Sequence, residues 1–219
     1  MSLVRFLTSY QRIQRALQWW SSKQSMKLFI EAEKIRDDLL QESFTIRRNL
    51  DLLTVDNLNL SDNKIQESLK QIDNFHHSLV QLSDRLFPAS LQDSFPLAIE
   101  YLLEPWLVSN PQLYFQIDLP LYWRHEPAER SLVVLTALNE LLTITLTEVL
   151  ALTSIYINLK QQKTMGTLIV EVTYSNVSTF FLHSTLPELN YLCESFRLLT
   201  SGKCFTRTNN LRISWHFYW

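Results

Sequence analysis

Two glycines, Gly166 and Gly202, are all that the 219 residues contain. A loop that cradles a phosphate needs glycines close together, because backbone N–H groups approach an anion only where no Cβ stands in the way. Two isolated glycines therefore exclude a P-loop, a dinucleotide-binding fingerprint and a glycine-rich lid. Cysteine is equally scarce. Cys193 and Cys204 have no metal-ligand spacing and no third or fourth ligand near them in sequence, so both read as structural or incidental thiols and no metal is expected.

An excess of charge is missing too. Twenty Lys and Arg stand against 22 Asp and Glu, and the net charge of -2 removes any electrostatic reason to expect nucleic acid or an anionic membrane as partner. No apolar run reaches the ~18 residues of a transmembrane helix. The longest candidate, residues 132–153, is interrupted by Asn139, Glu140, Glu148 and several threonines. The first residues carry arginines spaced among apolar side chains and no small-residue cleavage site, so they do not read as a signal peptide. Cytoplasmic residence is the resulting expectation.

What is present is a globular balance. Hydrophobic residues make up 46% and charged residues 19%, enough to build a core. Residues 3–54 contain neither Pro nor Gly and carry apolar stripes at helical spacing. Phe6, Tyr10, Ile13, Leu17 and Trp20 form one stripe; Ala32, Ile35, Leu39, Ile46 and Leu53 form another, broken by Glu42 and Asn49. This predicts one long helix or two in series. Ser61 or Asp62 can cap the next helix, on which Ile65, Leu69, Ile72, His76, Leu79, Ser83 and Leu86 recur at alternating steps of four and three, a heptad seam. Two such helices cannot bury their stripes alone, and a dimeric four-helix bundle would bury them.

After Pro88 the pattern changes. A short helix is expected over residues 96–106, a strand over 113–119, and a long apolar helix from Pro127 to about residue 150. Residues 154–160 and 167–175 are β-branched and alternating, so they read as a strand pair, and 178–183 as a further strand. Ser184 or Thr185 is expected to open a helix to about Thr200, with Pro187 in its first turn. In the last segment Leu211, Ile213, Trp215, Phe217 and Trp219 share one face, and Arg212, Ser214, His216 and Tyr218 the other. The expected fold class is α+β: an antiparallel helical hairpin over residues 1–90, then a sandwich over 91–219 with helices on one face of a mixed sheet.

That order of elements resembles the dimerisation and catalytic core of sensor histidine kinases, in particular the nitrate-sensor and thermosensor subfamily of bacterial two-component signalling. The phosphoacceptor helix of that family carries a pattern like E-R-x-R-I-A-R-E-L-H-D. The matching stretch here is EAEKIRDDLLQES, in which Glu31, Lys34, Ile35, Asp38 and Leu39 fit, while the acceptor histidine falls on Leu40 and the acid after it on Gln41. The D-L-R-P-x-x-L turn matches at Pro88 and Leu91, with Phe87 for the arginine and Phe95-Pro96 for the Gly-Leu that follows. The Q-E-A-L-T-N-x-x-K-H helix is similar to NELLTITLTE: Glu140, Leu142 and Thr143 match, Asn139 replaces the Gln, Ile144 replaces the Mg²⁺-binding Asn, and Glu148 replaces the His. The adenine-recognition D-x-G-x-G motif is replaced by SNVSTF, the lid by LPEL, and the terminal L-R-E-R-V-x-x-L-G-G pattern persists only at Glu194 and Gly202.

The resemblance implies a histidine-kinase-type (GHKL) ATPase fold and a homodimer through the hairpin, with the catalytic positions degenerate at Leu40, Glu140 and Ile144. No nucleotide cofactor is expected. The implied role is a dimeric signalling adaptor or scaffold that binds a partner such as a response-regulator receiver domain. Two alternatives stand beside it: a phosphotransferase using His76 or His77, and a divergent kinase that still binds ATP. His76 lies on the seam, where a polar residue sets register, and His77 is expected to face solvent. Trp19 and Trp20, flanked by Arg12, Arg15 and Lys23, read either as part of the bundle or as a docking point for a partner or an upstream sensory domain. His125, His183 and His216 show no mutual spacing for a metal.

Overall fold

The computed structural model describes residues 2–55, 62–88, 90–146, 152–162 and 164–219, and for residues 2–7, 53–55, 62–64, 92, 152 and 153 the backbone alone. Ser61 and Glu148 lie outside the described residues, as do the side chains of Phe6, Leu53 and Asp62. The chain divides into two compact units, residues 22–88 and residues 1–21 together with 89–219.

The first unit is the helical hairpin. The absence of Pro and Gly lets one helical run continue from α1 (Ser2–Lys34) through a π-helical turn (Ile35–Leu39) into α2 (Leu40–Val55). α3 (Asp62–Leu86) returns alongside it. Two side-chain pairs fix the antiparallel register: Asn49 Nδ2 donates to Gln71 Oε1 at 2.7 Å, and Arg85 Nε donates to Glu31 Oε2 at 2.9 Å. The face of the long helix that meets α3 carries Glu31, Ile35, Leu39, Glu42, Ile46 and Asn49, so the polar residues that interrupt the sequence stripe belong to the contact. Steps of four drift by about 40° each on an α-helix, and the wider π turn brings Leu39 back to the seam.

The seam of α3 differs from the one its apolar heptads suggest. Ser68, Gln71, Phe75, Ser78 and Leu82 are its sheltered residues, again at steps of three and four. Ile65, Leu69, Ile72, Leu79 and Leu86 remain exposed. α3 therefore carries two stripes, a mainly polar one toward its own hairpin and an apolar one turned away. Pairing explains the choice: a half-buried Asn or Gln is stable only with a partner, and Asn49 and Gln71 supply each other with one.

The second unit is a sheet of five strands in the order β1-β2-β3-β5-β4. After α4 (Ser90–Asp93), α5 (Phe95–Ser109) begins at Ser94, whose Oγ accepts from Leu97 N at 3.2 Å. β1 (Tyr114–Asp118) runs parallel to β2 (Leu152–Gln162), with α6 (Ala128–Thr145) as the crossover between them. β2 and β3 (Met165–Tyr174) form the expected antiparallel pair, and β3 pairs antiparallel with β5 (Arg212–Tyr218). The sheet is thus mixed, and the chain is an α+β protein. Ile213, Trp215 and Phe217 of β5 are fully buried among the helices, with Ile155, Val170 and Leu138 in the same core. Each large side chain there contributes roughly 1.5–3 kcal/mol by leaving water.

Two expectations for residues 178–200 are corrected by the structure. Residues 178–183, expected as a strand, lie in helix α7 (Val177–Ser184), because Asn176 Oδ1 accepts from Thr179 N at 2.8 Å and caps its first turn. Neither Ser184 nor Thr185 opens the next helix: they end α7, and α8 (Pro187–Thr200) starts after Leu186, with Pro187 in its first turn. Residues 203–209 form an edge strand, β4 (Lys203–Asn209), joined to β5 through Asn210 in the left-handed region (φ 53°).

Residues 1–21 group with this unit through α8. Ser195 Oγ donates to the Ala16 carbonyl at 2.9 Å, Arg12 reaches Glu194 at 3.2 Å, and Trp19 packs on Tyr191 with ring centroids 6.4 Å apart. Trp19 and Trp20 both pack against the core of the sheet unit rather than inside the helical bundle. Ala16, fully buried, is the centre of that contact, whereas Tyr10 and Leu17 of the apolar stripe are exposed.

The two glycines share one purpose. A Cβ on Gly166 would lie 2.6 Å from the Trp219 ring, and one on Gly202 would lie 2.0 Å from the Tyr218 carbonyl oxygen. Both give way to the end of β5. Cys193 of α8 and Cys204 of β4, 5.2 Å apart at Cα, are joined as a disulfide and are not separate thiols.

Candidate functional site

Three places would hold chemistry if the resemblance carried over. The first is the middle of the long helix. Leu40 opens α2 directly after the π turn and is exposed, while Leu39 beside it is buried. A leucine side chain has no atom that can accept a phosphoryl group. Each of the two register pairs, Asn49 with Gln71 and Glu31 with Arg85, sums to between 116 and 120, which sets Leu40 at the level of residues 76–80 of α3. His76 and His77 are both exposed there, and Nε2 of His77 lies 2.9 Å from Gln81 Nε2.

The second place is the core helix α6. Glu140 is half-buried on it. Ile144, at the position of the Mg²⁺-binding side chain, packs against the hydrophobic core. Asn139 is occupied within the fold, its Oδ1 accepting from Trp106 Nε1 at 3.4 Å and its carbonyl from Thr143 Oγ1 at 2.8 Å. Glu148 lies outside the described residues.

The third place follows β3, where a nucleotide-recognition loop would come. Tyr174 ends the strand and is buried, and burial pushes its phenol well above the usual tyrosine range. The buried His183 of α7 stacks on it, with ring centroids 5.3 Å apart and planes 27° from parallel. Phe180 meets the Tyr174 ring edge-on at 6.3 Å. Asn176, between strand and helix, is engaged as the α7 cap. These rings occupy the space between β3 and α7.

The structure therefore places Leu40, His76 and His77 on the hairpin, and Glu140 and Ile144 on α6 of the other unit. No group of three or more His, Cys, Asp or Glu side chains could hold a metal ion among the described residues. His125, His183 and His216 sit in separate settings. His216 of β5 stacks on Phe205 at 5.0 Å, and burial together with the Arg207 charge lowers its pKa. No helix among the described residues is long and apolar enough to cross a membrane.

One polar feature of the sheet unit escapes sequence reasoning altogether. On the sheet face away from the helices, Tyr114, Gln116, Ser154, Tyr156, Glu171, Thr173 and Arg212 line a groove of about 290 Å³ with Ile155. Its residues come from four strands, and only the pairing register gathers them. Alternation marks each as lying on the face opposite the core, but not which of them are neighbours.

No family model matches the chain, and no curated protein matches it. Solved histidine kinases are similar in structure at low sequence identity. AdeS of Acinetobacter baumannii is 12% identical with a TM-score of 0.42, over 83% of this chain and 95% of that one. The blue-light-activated histidine kinase of Erythrobacter litoralis is 9% identical with a TM-score of 0.49, over 82% of this chain and 57% of that one. A histidine kinase of Burkholderia phymatum is 12% identical with a TM-score of 0.39, over 82% and 94%. Likeness at these identities and scores says nothing of activity.

Proposed function

We propose that the chain is a histidine-kinase-like protein without phosphotransfer chemistry, working as a dimeric signalling adaptor that presents its surface to a partner such as a receiver domain. The observation that carries this reading is the state of the three chemical positions. An exposed leucine stands at the acceptor position, a core-packed isoleucine at the metal-binding position, and a stack of Tyr174 and His183 beside the missing nucleotide loop. Each is filled by a side chain with another role, and the two glycines are committed to β5.

The dimer is supported by the outward stripe of the hairpin. Ile65, Leu69, Ile72 and Leu79 of α3, with Leu40 and Phe44 of α2, are 37–67% exposed. A second copy of the same stripe would remove this surface from water and complete a four-helix bundle.

Titration of the full chain with ATP and Mg²⁺ in a thermal-shift experiment should leave Tm unchanged. A Tm that climbs with nucleotide concentration would sink the silent-adaptor reading in favour of a divergent kinase. Sedimentation at micromolar concentration should give a dimer, and Ile72→Lys with Leu79→Lys should give a folded monomer.

One observation favours a second reading. His76 and His77 are exposed at the level of the hairpin where Leu40 replaces the acceptor. Incubation with a phosphorylated receiver domain tests it: label that appears on the chain and is lost in His76→Ala or His77→Ala would make the protein a phosphotransferase.

A further inference from the structure

The groove on the open sheet face is built from two rows of cross-strand neighbours. One row runs Tyr114, Ser154, Thr173, Arg212 across β1, β2, β3 and β5; the next runs Gln116, Tyr156, Glu171, Ser214. In the middle of the first row stand two short side chains, Ser154 and Thr173. Tall side chains surround them: Tyr114 and Arg212 at the ends of the row, and Tyr156 and Glu171 in the row beside it. A depression with a hydroxyl-bearing floor follows from side-chain lengths alone.

Two of its walls are ordered in advance. Asn158, itself buried, donates from Nδ2 to the Asp118 carboxylate and to the Tyr156 hydroxyl at 2.8 Å, which holds the Tyr156 ring in place. On the other side Arg212 and Glu171 form an ion pair at 2.9 Å. Aromatic side chains with a few ordered polar groups around a concavity can hold a small ligand, and about 290 Å³ lies just below the roughly 300–1,000 Å³ of drug-sized sites.

We infer that this groove binds a neutral carbohydrate of one or two rings. The charges decide the class. Arg212 and Glu171 offset each other's charge across 2.9 Å, so the pair offers little net charge to attract an ion. A polyol needs none: each hydroxyl can donate to the Glu171 carboxylate and accept from the Arg212 guanidinium with the pair intact. The Ser154 hydroxyl and the Gln116 amide offer both donors and acceptors to further hydroxyls. The exposed Tyr114 side chain supplies an apolar ring for the C–H face of a sugar and a hydroxyl at its tip. The site lies on the face of the sheet opposite the helices, away from Tyr174 and Ile144, so its occupancy is independent of the silent-adaptor reading.

Saturation-transfer NMR on the full chain tests the inference, with glucose, galactose, mannose, N-acetylglucosamine, sucrose and maltose at millimolar concentration. At least one should show transfer, weakened about tenfold or more in apparent Kd by Tyr114→Ala and by Ser154→Leu, which fills the floor, and unaffected by Tyr122→Ala in the exposed loop before α6. In the unaltered protein, titration with that sugar should move the ring resonances of labelled Tyr114 and Tyr156, a readout that does not depend on any variant folding. Absence of transfer from all six sugars overturns the proposal. So do tyrosine resonances that stay still, and so does transfer from glutamate or lysine at a level equal to the sugars.

Discussion

The two units of this chain bury different mixtures of surface. In the sheet unit, aromatic and branched side chains such as Trp215, Phe217 and Ile157 are removed from water completely. In the hairpin, the sheltered positions include Glu31, Ser68, Asn49 and Gln71, while Leu69, Ile72 and Phe44 remain outside. The sheet unit contains its own driving force for folding, because its apolar area already faces inward. The hairpin holds its two helices together by polar pairs that set register, and its apolar area remains free for another surface.

Substitutions can break the contrast, and the largest effect belongs to the sheet unit. Trp215→Ala should cost about 3–5 kcal/mol, since it removes a fully buried ring from the centre of the core. Urea denaturation followed by circular dichroism should show the sheet signal lost at lower denaturant. Reduction of Cys193–Cys204 comes next. The bridge closes a short loop, with a sequence separation of 11 residues, so its loss should cost about 2–3 kcal/mol, read as a lower Tm under reductant. A Tm indifferent to reductant would show that α8 and β4 hold together by packing alone.

In the hairpin the effects are smaller. Arg85→Met should cost about 1–2 kcal/mol, because Glu31, with 8% of its side chain exposed, then keeps, among the described residues, Lys34 at 3.5 Å. Adding Glu31→Gln should return part of that loss, since no unpaired charge is then buried. The smallest effect is a pH dependence on the open sheet face. His216 has a folded pKa below its unfolded value near 6.5, so the unfolded chain binds the extra proton. Stability should therefore be full above about pH 6.5 and fall as pH drops through the lowered value. His216→Phe, which keeps a ring stacked on Phe205, should flatten that slope in urea titrations at a series of pH values.

Much of the fold was legible in the sequence. β5 shows its buried face as strict alternation from Leu211 to Trp219, and the β2–β3 pair is legible for the same reason. β4 was not legible: at the sheet edge only Cys204 on its inner face is buried, so there is little apolar pattern to read. α7 misled because Thr179, Phe180 and Phe181 favour strands in isolation, and the cap at Asn176 overrode that preference. In α3 the stripe of the sequence is real, but periodicity records which residues share a face and not which neighbour that face meets. Leu40, Ile144 and the scarcity of glycine were readable because each is a matter of composition or of a single position. The groove was not, because it depends on which strands lie side by side.

The sequence by itself determined that the chain is α+β, where its long helices run, and that Leu40 and Ile144 carry side chains that can neither accept a phosphoryl group nor bind a metal. Those are properties of single residues and of local period. Tertiary structure alone decided that Trp19 and Trp20 pack on the sheet unit, that both glycines yield to β5, that Cys193 meets Cys204, and that four strands set a polar groove on the open face. Each of these joins residues that no local period relates, and only the strand register and the packing of α8 bring them within reach.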